Sequence, residues 1–376
     1  MKICFFNSGY LPDRGGVATL AGGLAESLAS SPAVGVVKVV AFKNSQPRHE
    51  IRGKLEVFAY PYKKMWQMIF VVFWYTLKFR QFDVFHATNI FPVGFFTLLF
   101  GKYIFGKKVF ITIHGTDVLA KSGSGLVKWA KGFTMRRSDR ILPNSRSTMK
   151  LAAEDYQIDD QIFFVIYPGV TQLSEQKPSV DIRRRYGLTD QDFVVLTVGQ
   201  LIKRKGTDDL IRAIKGLDDE TIKLLVVGEG PEKQNLQNLV RELGLASRVV
   251  FAGSVEGVED FYETAQVFAL PAKYLAEQGD IEGLGIAFLE AQYFGKPVIG
   301  TDSGGIPETF RANETGFLVG EGDIAAIAER IKHLRHNPQI YERMSNAAKT
   351  FVRQEFPWTK SVRQHLNIYS QTRQAD

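Results

Sequence analysis

The stretch from Ile281 to Glu308, IEGLGIAFLEAQYFGKPVIGTDSGGIPE, concentrates the residue types that handle an anionic, hydroxylated ligand. Glu282 precedes a Gly283-Leu284-Gly285 turn, and Ile286, Ala287, Leu289, Glu290, Ala291 and Phe294 follow at helical spacing until Gly295 and Pro297 stop the run. The first N–H groups of such a helix lack intrahelical partners and carry the positive end of the helix dipole, so they favour an anion where two glycines leave the backbone open. A diphosphate fits that description. Glu290 lies about 12 Å beyond Glu282 if the span is helical throughout, so one ligand of nucleoside-diphosphate length can meet both carboxylates. An ordinary helix with two solvated glutamates is the competing description.

The elements that must position these residues alternate between strand and helix. Phe193 to Val198 reads as a strand that runs into Lys203-Arg204-Lys205-Gly206 before a helix from Thr207 to Ile214, placing three cations at a strand's carboxyl end, where they can neutralise a departing diphosphate. Lys223 to Val227, Val249 to Ala252, Val267 to Leu270 and Val298 to Thr301 read as further strands, and Ser303-Gly304-Gly305 as a second backbone-exposing loop. Pro231 suits a first helical position after Gly228-Glu229-Gly230. Asp190-Gln191-Asp192 falls before a strand rather than after one, so it reads as a turn and not a metal site.

The first half has the same rhythm. Residues 2 to 7 and 36 to 42 read as strands around a helix from Val17 to Ala29, which starts after Gly15-Gly16 without the G-x-G-x-x-G of a dinucleotide fold. Those two glycines can bring backbone N–H groups to an anion or simply make a turn. Asp83 to His86, Val109 to Ile113, Ile141 to Ser145 and Phe163 to Ile166 read as strands; the second delivers His114-Gly115-Thr116-Asp117 to a carboxyl end, where open α/β sheets bind ligands. His114 is the candidate there, and His86 is not. Asn144 or Ser145 can cap a helix from Thr148 to Glu154.

A chain of 376 residues exceeds one compact core, and the polar, proline-containing run after Tyr167-Pro168-Gly169-Val170 reads as the hinge between two domains, 1–171 and 172–358. An amphipathic helix over 359–376 is expected to cross back to the first domain. The single cysteine, Cys4, rules out disulfides within the chain, and the short apolar start lacks the form of a signal peptide, so a cytoplasmic setting is expected. Residues 1 to 170 hold 22 Lys and Arg against 11 Asp and Glu, and residues 171 to 376 hold 25 against 29, so the net charge of +7 arises in the first half. A basic half suits an anionic membrane, a phosphorylated substrate or a nucleic acid, and no nucleic-acid motif accompanies it. Tyr62 to Arg80 and Phe91 to Phe105 are strongly apolar with basic ends but too short to span a bilayer. Each fits either a buried helix or a helix lying in a membrane interface.

Taken together, GYLPDRGG near the start, His114-Gly115, Arg204-Lys205-Gly206, GEGPE, the Glu282-to-Glu290 pair and SGGIPE resemble the family 4 retaining glycosyltransferases, over nearly the whole chain. The resemblance implies the α/β GT-B fold, two Rossmann-like domains with parallel sheets facing across a cleft. Within that family the spelling around Glu282 looks most like the phosphatidylinositol mannosyltransferases, which use GDP-mannose. It implies that Glu282 and the backbone of Gly283, Leu284 and Gly285 hold the sugar, and that Glu290 binds ribose hydroxyls. By the same resemblance Lys205 grips the diphosphate, His114 contacts the transferred sugar, and Gly15-Gly16 approach the phosphate. Where the family commonly has Arg this chain has Gln200, and Arg204 is expected to stand in for it. No cofactor or metal is expected. The implied partners are a nucleotide-sugar donor and a lipid-linked or glycan acceptor, and the basic-ended aromatic segments add peripheral contact with an anionic membrane at its cytoplasmic face as an expectation. A UDP-sugar donor is the alternative within the class, and a non-catalytic nucleotide- or nucleic-acid-binding protein the alternative outside it.

Overall fold

A computed structural model describes residues 1–11, 15–42, 47–62, 64–119, 124–170, 181–275 and 280–371. Pro12 to Arg14 of the first glycine loop, Lys63 at the head of the first apolar segment and the hinge run 171–180 lie outside the described residues. The chain forms two compact units, 1–171 together with 356–376, and 172–355. The return to the first unit thus begins at Phe356, a few residues ahead of the expected 359.

The first unit carries strands β1 (Lys2–Asn7), β2 (Val36–Phe42), β3 (Arg48–Arg52), β4 (Leu55–Tyr60), β5 (Val84–Ala87), β6 (Lys108–Ile113) and β7 (Arg140–Pro143). They order as β3-β4-β2-β1-β5-β6-β7, parallel except for the β3–β4 hairpin. That hairpin leaves little trace in the sequence, because its alternation is short and half exposed. Helices α1 (Gly16–Ser30), α2 (Met65–Lys78), α3 (Phe95–Leu98), α4 (Gly125–Arg137) and α5 (Arg146–Tyr156) connect the strands. Ser145 caps α5, its hydroxyl accepting from Thr148 N at 3.0 Å. Residues 163–166, expected as a strand, run beside β7 through bonds from Phe164 N to Ile141 O and Ile166 N to Pro143 O without forming a regular strand.

Both faces of this sheet are apolar, as crossover helices on a parallel sheet require. One face packs α2 to α5, and the other packs α1 and the terminal helix Trp358–Gln371. Trp358 lies so close to α1 that a methyl group added at Gly23 would come within 2.3 Å of its ring. Helix α2 buries Met68, Val72 and Tyr75 in the core, while Trp66, Phe70 and Trp74 stand exposed one turn apart. No helix among the described residues is long and apolar enough to cross a membrane. Cys4 is fully buried, and burial pushes its thiol up, so it is inert.

The second unit has strands β8 (Phe193–Val198), β9 (Ile222–Val227), β10 (Val249–Gly253), β11 (Val267–Leu270), β12 (Val298–Thr301) and β13 (Gly316–Val319), all parallel, in the order β10-β9-β8-β11-β12-β13. Its helices are α6 (Ile182–Arg185), α7 (Thr207–Lys215), α8 (Lys233–Glu242), α9 (Glu259–Thr264), α10 (Ile286–Tyr293), α11 (Ile324–His336) and α12 (Pro338–Glu355). Pro231 sits in a turn, and α8 begins two residues later than that proline suggests. Strand order reverses between β8 and β11, which opens a crevice at their carboxyl ends.

The terminal helix is fastened by histidines that have no charge to spare. His86 Nδ1 shares a 2.6 Å hydrogen bond with the Tyr369 hydroxyl, and its Nε2 shares one of 2.7 Å with Thr112 Oγ1. Burial holds His86 well below the usual imidazole range and pushes His365 down from 6.5 to about 4. Because both folded values lie below the unfolded one, their contribution to stability is complete above pH 6.5 and lost as pH falls toward about 4. That loss is about 3 kcal/mol for His365 alone. Melting temperature should fall over this window, with Trp358 fluorescence reporting release of the helix, and His365→Asn should flatten the slope.

Candidate functional site

In the second unit the crevice collects charge from two loops. After β8 the chain makes a short turn over Lys203–Lys205, and Gly206 takes φ 64° before α7 begins. After β11 it runs through Pro271 to Lys273 and reaches Asp280 and Glu282. The two loops are stitched by Lys273, whose N–H donates to Arg204 O at 2.7 Å while its ammonium pairs with Asp208 at 3.0 Å and Asp209 at 2.9 Å. A side chain at Gly206 is excluded, since a methyl group there would stand 1.9 Å from Pro271 O.

Glu282 occupies the centre. Its carboxylate accepts from Lys205 Nζ at 2.6 Å and from the Arg204 guanidinium, and Arg204 Nε also pairs with Asp280 at 2.8 Å. Burial alone would raise the Glu282 carboxyl, but Lys205 and Arg204 outweigh it and hold the group below its usual value. Only 12% of its side chain is exposed. Two cations and two carboxylates thus balance each other, at the point where a diphosphate would bring further negative charge.

The main chain around Glu282 is gripped from β12. Gly305 N donates to Glu282 O at 3.0 Å, and a methyl group at Gly304, where φ is 57°, would sit 2.0 Å from that same carbonyl. Gly285 then adopts φ 90° at the head of α10, whose first turn holds no side-chain cap and no acidic residue. The anion-favouring helix start described from sequence is therefore present, with Gly283 and Gly285 buried and the Leu284 side chain packed inward, so that only its backbone is on offer. Glu290, on the same helix, accepts from the Tyr262 hydroxyl at 2.8 Å through Oε2. Burial raises its carboxyl despite that bond. Its Oε1 has no partner among the described residues. The departure Gln200 is exposed and joins none of these contacts.

The remaining candidates belong to the first unit. Gly15, at φ 138°, precedes α1 in open space, and Gly16 begins a helix with no side-chain cap and no acidic first-turn residue. His114 follows β6, its N–H donating to Asp117 Oδ1 at 2.9 Å. Burial lowers the imidazole, opposed by Asp117 and the Thr88 main chain. Neither ring nitrogen has a partner of ordinary geometry among the described residues. Asp190–Asp192 is a turn closed by Thr189 N on Asp192 Oδ2 at 2.6 Å.

Sequence reasoning missed Lys273, Asp280 and Tyr262. Lys273 carried no motif, and its role arises from loops that meet only after folding.

Residues 14–171 match the domain family Glycosyltransferase Family 4, and residues 179–351 match Glycosyl transferases group 1. The chain is 27% identical over 301 residues to the N-acetyl-alpha-D-glucosaminyl L-malate synthase of Bacillus anthracis, covering 76% of this chain and 74% of that one. It is 35% identical over 198 residues, 52% of each chain, to a GDP-mannose-dependent alpha-(1-6)-phosphatidylinositol monomannoside mannosyltransferase of Mycolicibacterium smegmatis. This second match spans about half the relative's length. Among solved structures, a sucrose-phosphate synthase from Thermosynechococcus elongatus superposes with a TM-score of 0.83 at 21% identity over all of both chains. Anabaena HepE in complex with UDP and glucose gives 0.80 at 19% identity, over 99% of this chain and all of that one. At such identities the structural likeness speaks for the fold alone.

The grip on Glu282 is testable. Gly304→Ala should cost more than about 2 kcal/mol in urea unfolding, combining left-handed strain with displacement of the Glu282 backbone. Gly322→Ala, at φ 72° but with open space around it, should cost about 1 kcal/mol.

Proposed function

The chain belongs to the family 4 glycosyltransferases of the GT-B fold, and from that premise we propose that it transfers mannose from GDP-mannose to a lipid-linked or glycan acceptor with retention. The observation that carries the donor assignment is Glu282 held between Lys205 and Arg204 beside the uncapped start of α10. Breaking the bond between the anomeric carbon and phosphate oxygen builds positive charge on the sugar and negative charge on the diphosphate. Lys205, Arg204 and the helix start stabilise the latter. An incoming diphosphate exchanges with Glu282 for Lys205 and frees that carboxylate for sugar hydroxyls, while Glu290 takes the ribose through its open oxygen.

The acceptor oxygen attacks the same face, and its proton passes to the leaving phosphate oxygen, so the balance needs no carboxylate nucleophile. We assign His114 to the sugar and Gly15-Gly16 to the phosphate on the family resemblance. The positive charge supplied by Lys205, Arg204 and the helix start makes a metal unnecessary in this scheme. Mannose is favoured by the GDP-mannose-dependent relative; the UDP complex of a structural neighbour keeps a UDP-sugar as the second reading.

We also assign the outer face of α2 to an anionic membrane at its cytoplasmic side. Trp66, Phe70 and Trp74 are 63, 62 and 51% exposed, and residues 61–137 hold 12 Lys and Arg against 2 Asp. Indole rings and basic side chains suit the headgroup layer of an anionic bilayer.

Saturating GDP should raise the melting temperature more than UDP does, as about 2.7 kcal/mol accompanies a hundredfold excess over Kd. Stabilisation by UDP alone would replace mannose with a UDP-linked sugar. Lys205→Ala and Glu282→Ala should each cut transfer by about a hundredfold or more, and unchanged turnover in both would refute the site. Flotation with phosphatidylglycerol vesicles at low salt should carry the protein, and Trp66→Ser with Phe70→Ser should abolish it.

A further inference from the structure

Beside the amino end of β7, at the opposite end of the strands from His114, a pocket of about 550 Å³ lies between α4 and the turn that follows α5. Its volume falls in the range of small-molecule sites. One wall is a single face of α4, where Trp129, Phe133, Arg136 and Arg137 recur at helical spacing, and Gln157 and Asp159 come from across it. None of these six takes part in the donor site or in the outer face of α2.

The walls are held in place from within the unit. Phe133 stacks on Trp129, with ring centroids 5.4 Å apart and planes at 21°, and on Tyr103 at 6.2 Å and 25°. That stack fixes the Trp129 indole while leaving the residue 55% exposed. Arg136 donates from Nη1 to Tyr156 O at 2.8 Å, which orients its guanidinium plane. Gly132 makes room for it, since a methyl group there would stand 2.8 Å from Arg136 Nη2 and 3.1 Å from the Tyr156 ring. Glycine inside a helix costs stability relative to alanine, so the helix gives way to the arginine here. Gln157 takes φ 51°, a conformation that Gly or Asn ordinarily supplies after a helix. Asp159 Oδ1 accepts from Gln161 N at 2.9 Å and closes the turn. Among the described residues the side chains of Arg137 and Gln157 form no hydrogen bond.

This lining selects a ligand. An aromatic wall suits the C–H face of a pyranose, because the π face is negative and those hydrogens are slightly positive. Planar amide, carboxylate and guanidinium groups meet neighbouring hydroxyls in pairs. Two guanidiniums against one carboxylate leave a positive excess, within a stretch, 61–137, that holds 12 Lys and Arg against 2 Asp. A ligand that also carries a phosphate or carboxylate is therefore held best. A purely apolar ligand would leave the polar groups unmet, and a bare anion would leave the rings unused.

We propose that this pocket binds an acidic saccharide, with its ring on Trp129 and Phe133, its hydroxyls on Gln157 and Asp159 and its anionic group on Arg136 and Arg137. A free sugar phosphate and a uronic acid within a glycan supply the same chemistry. The site stands apart from the donor assignment and does not rest on it.

The test is isothermal titration calorimetry on the full chain, with GDP and UDP both present at saturation to occupy the donor site. The probes are glucose 6-phosphate, methyl α-glucuronide, methyl α-glucoside and inorganic phosphate, and the first two distinguish a free sugar phosphate from a glycan uronate. The wild type should bind at least one acidic sugar about fivefold or more tighter than methyl α-glucoside and phosphate. Arg137→Gln and Gln157→Gly should each weaken that binding about tenfold. Gln157→Gly should melt no lower than the wild type, because glycine adopts a positive φ freely. No binding of either acidic sugar, no preference over the neutral sugar and phosphate, or unchanged affinity in both variants would overturn the proposal. Loss of flotation on phosphatidylglycerol vesicles in Arg137→Gln, without acidic-sugar binding by the wild type, would overturn it in favour of a lipid headgroup. A wild type that binds an acidic sugar while neither nucleotide moves its melting temperature sinks the donor assignment and sustains this site.

Discussion

The second unit depends on how closely its loops approach one another at the carboxyl ends of the strands. Gly206 stands against Pro271 O, Gly228 against Gly199 O, Gly230 against Leu201 O and Gly304 against Glu282 O, each so near that a methyl group would fall within 2.3 Å of a carbonyl. Only backbone without side chains fits, and the gain is that loops from β8, β9, β11 and β12 become one rigid surface. On that surface Lys205, Arg204, Asp280 and Glu282 meet with short ionic contacts. A charged cluster at this degree of burial is stable only when its geometry is held from outside, because desolvation otherwise exceeds the attraction.

The first unit solves a different problem. Its sheet is covered on both faces, and there His86 shares hydrogen bonds with Tyr369 and Thr112. At the strand ends Asn7, Thr88 and Asn144 are buried and keep polar atoms without a hydrogen-bond partner among the described residues.

Much of the architecture was legible because parallel strands covered on both faces read as continuous apolar runs, as in VVKVVAF or FVVLTV. Helix α10 was legible from its glycine punctuation, and α5 from Ser145. The β3–β4 hairpin and the region from β13 to α12 carried weaker signals and were missed. Residues 163–166 look like a strand by composition, yet they only border β7. Pro231 marked a helix start that lies two residues on, since the turn at Gly230 is shaped by Leu201 O.

Sequence alone determined the alternation of strand and helix, the anion-favouring start of α10 with Glu290 within it, the presence of Glu282, Arg204, Lys205 and His114 in loops that follow strands, and the family they resemble. These are local properties, set by periodicity, capping and residue type. Tertiary structure decided that Glu282 is clasped by both cations, that Glu290 leans on Tyr262, that Lys273 ties the two loops and that His86 bonds Tyr369 of the terminal helix. Each of these joins residues far apart in the chain. Strand order and register bring them together, and no local pattern encodes that pairing.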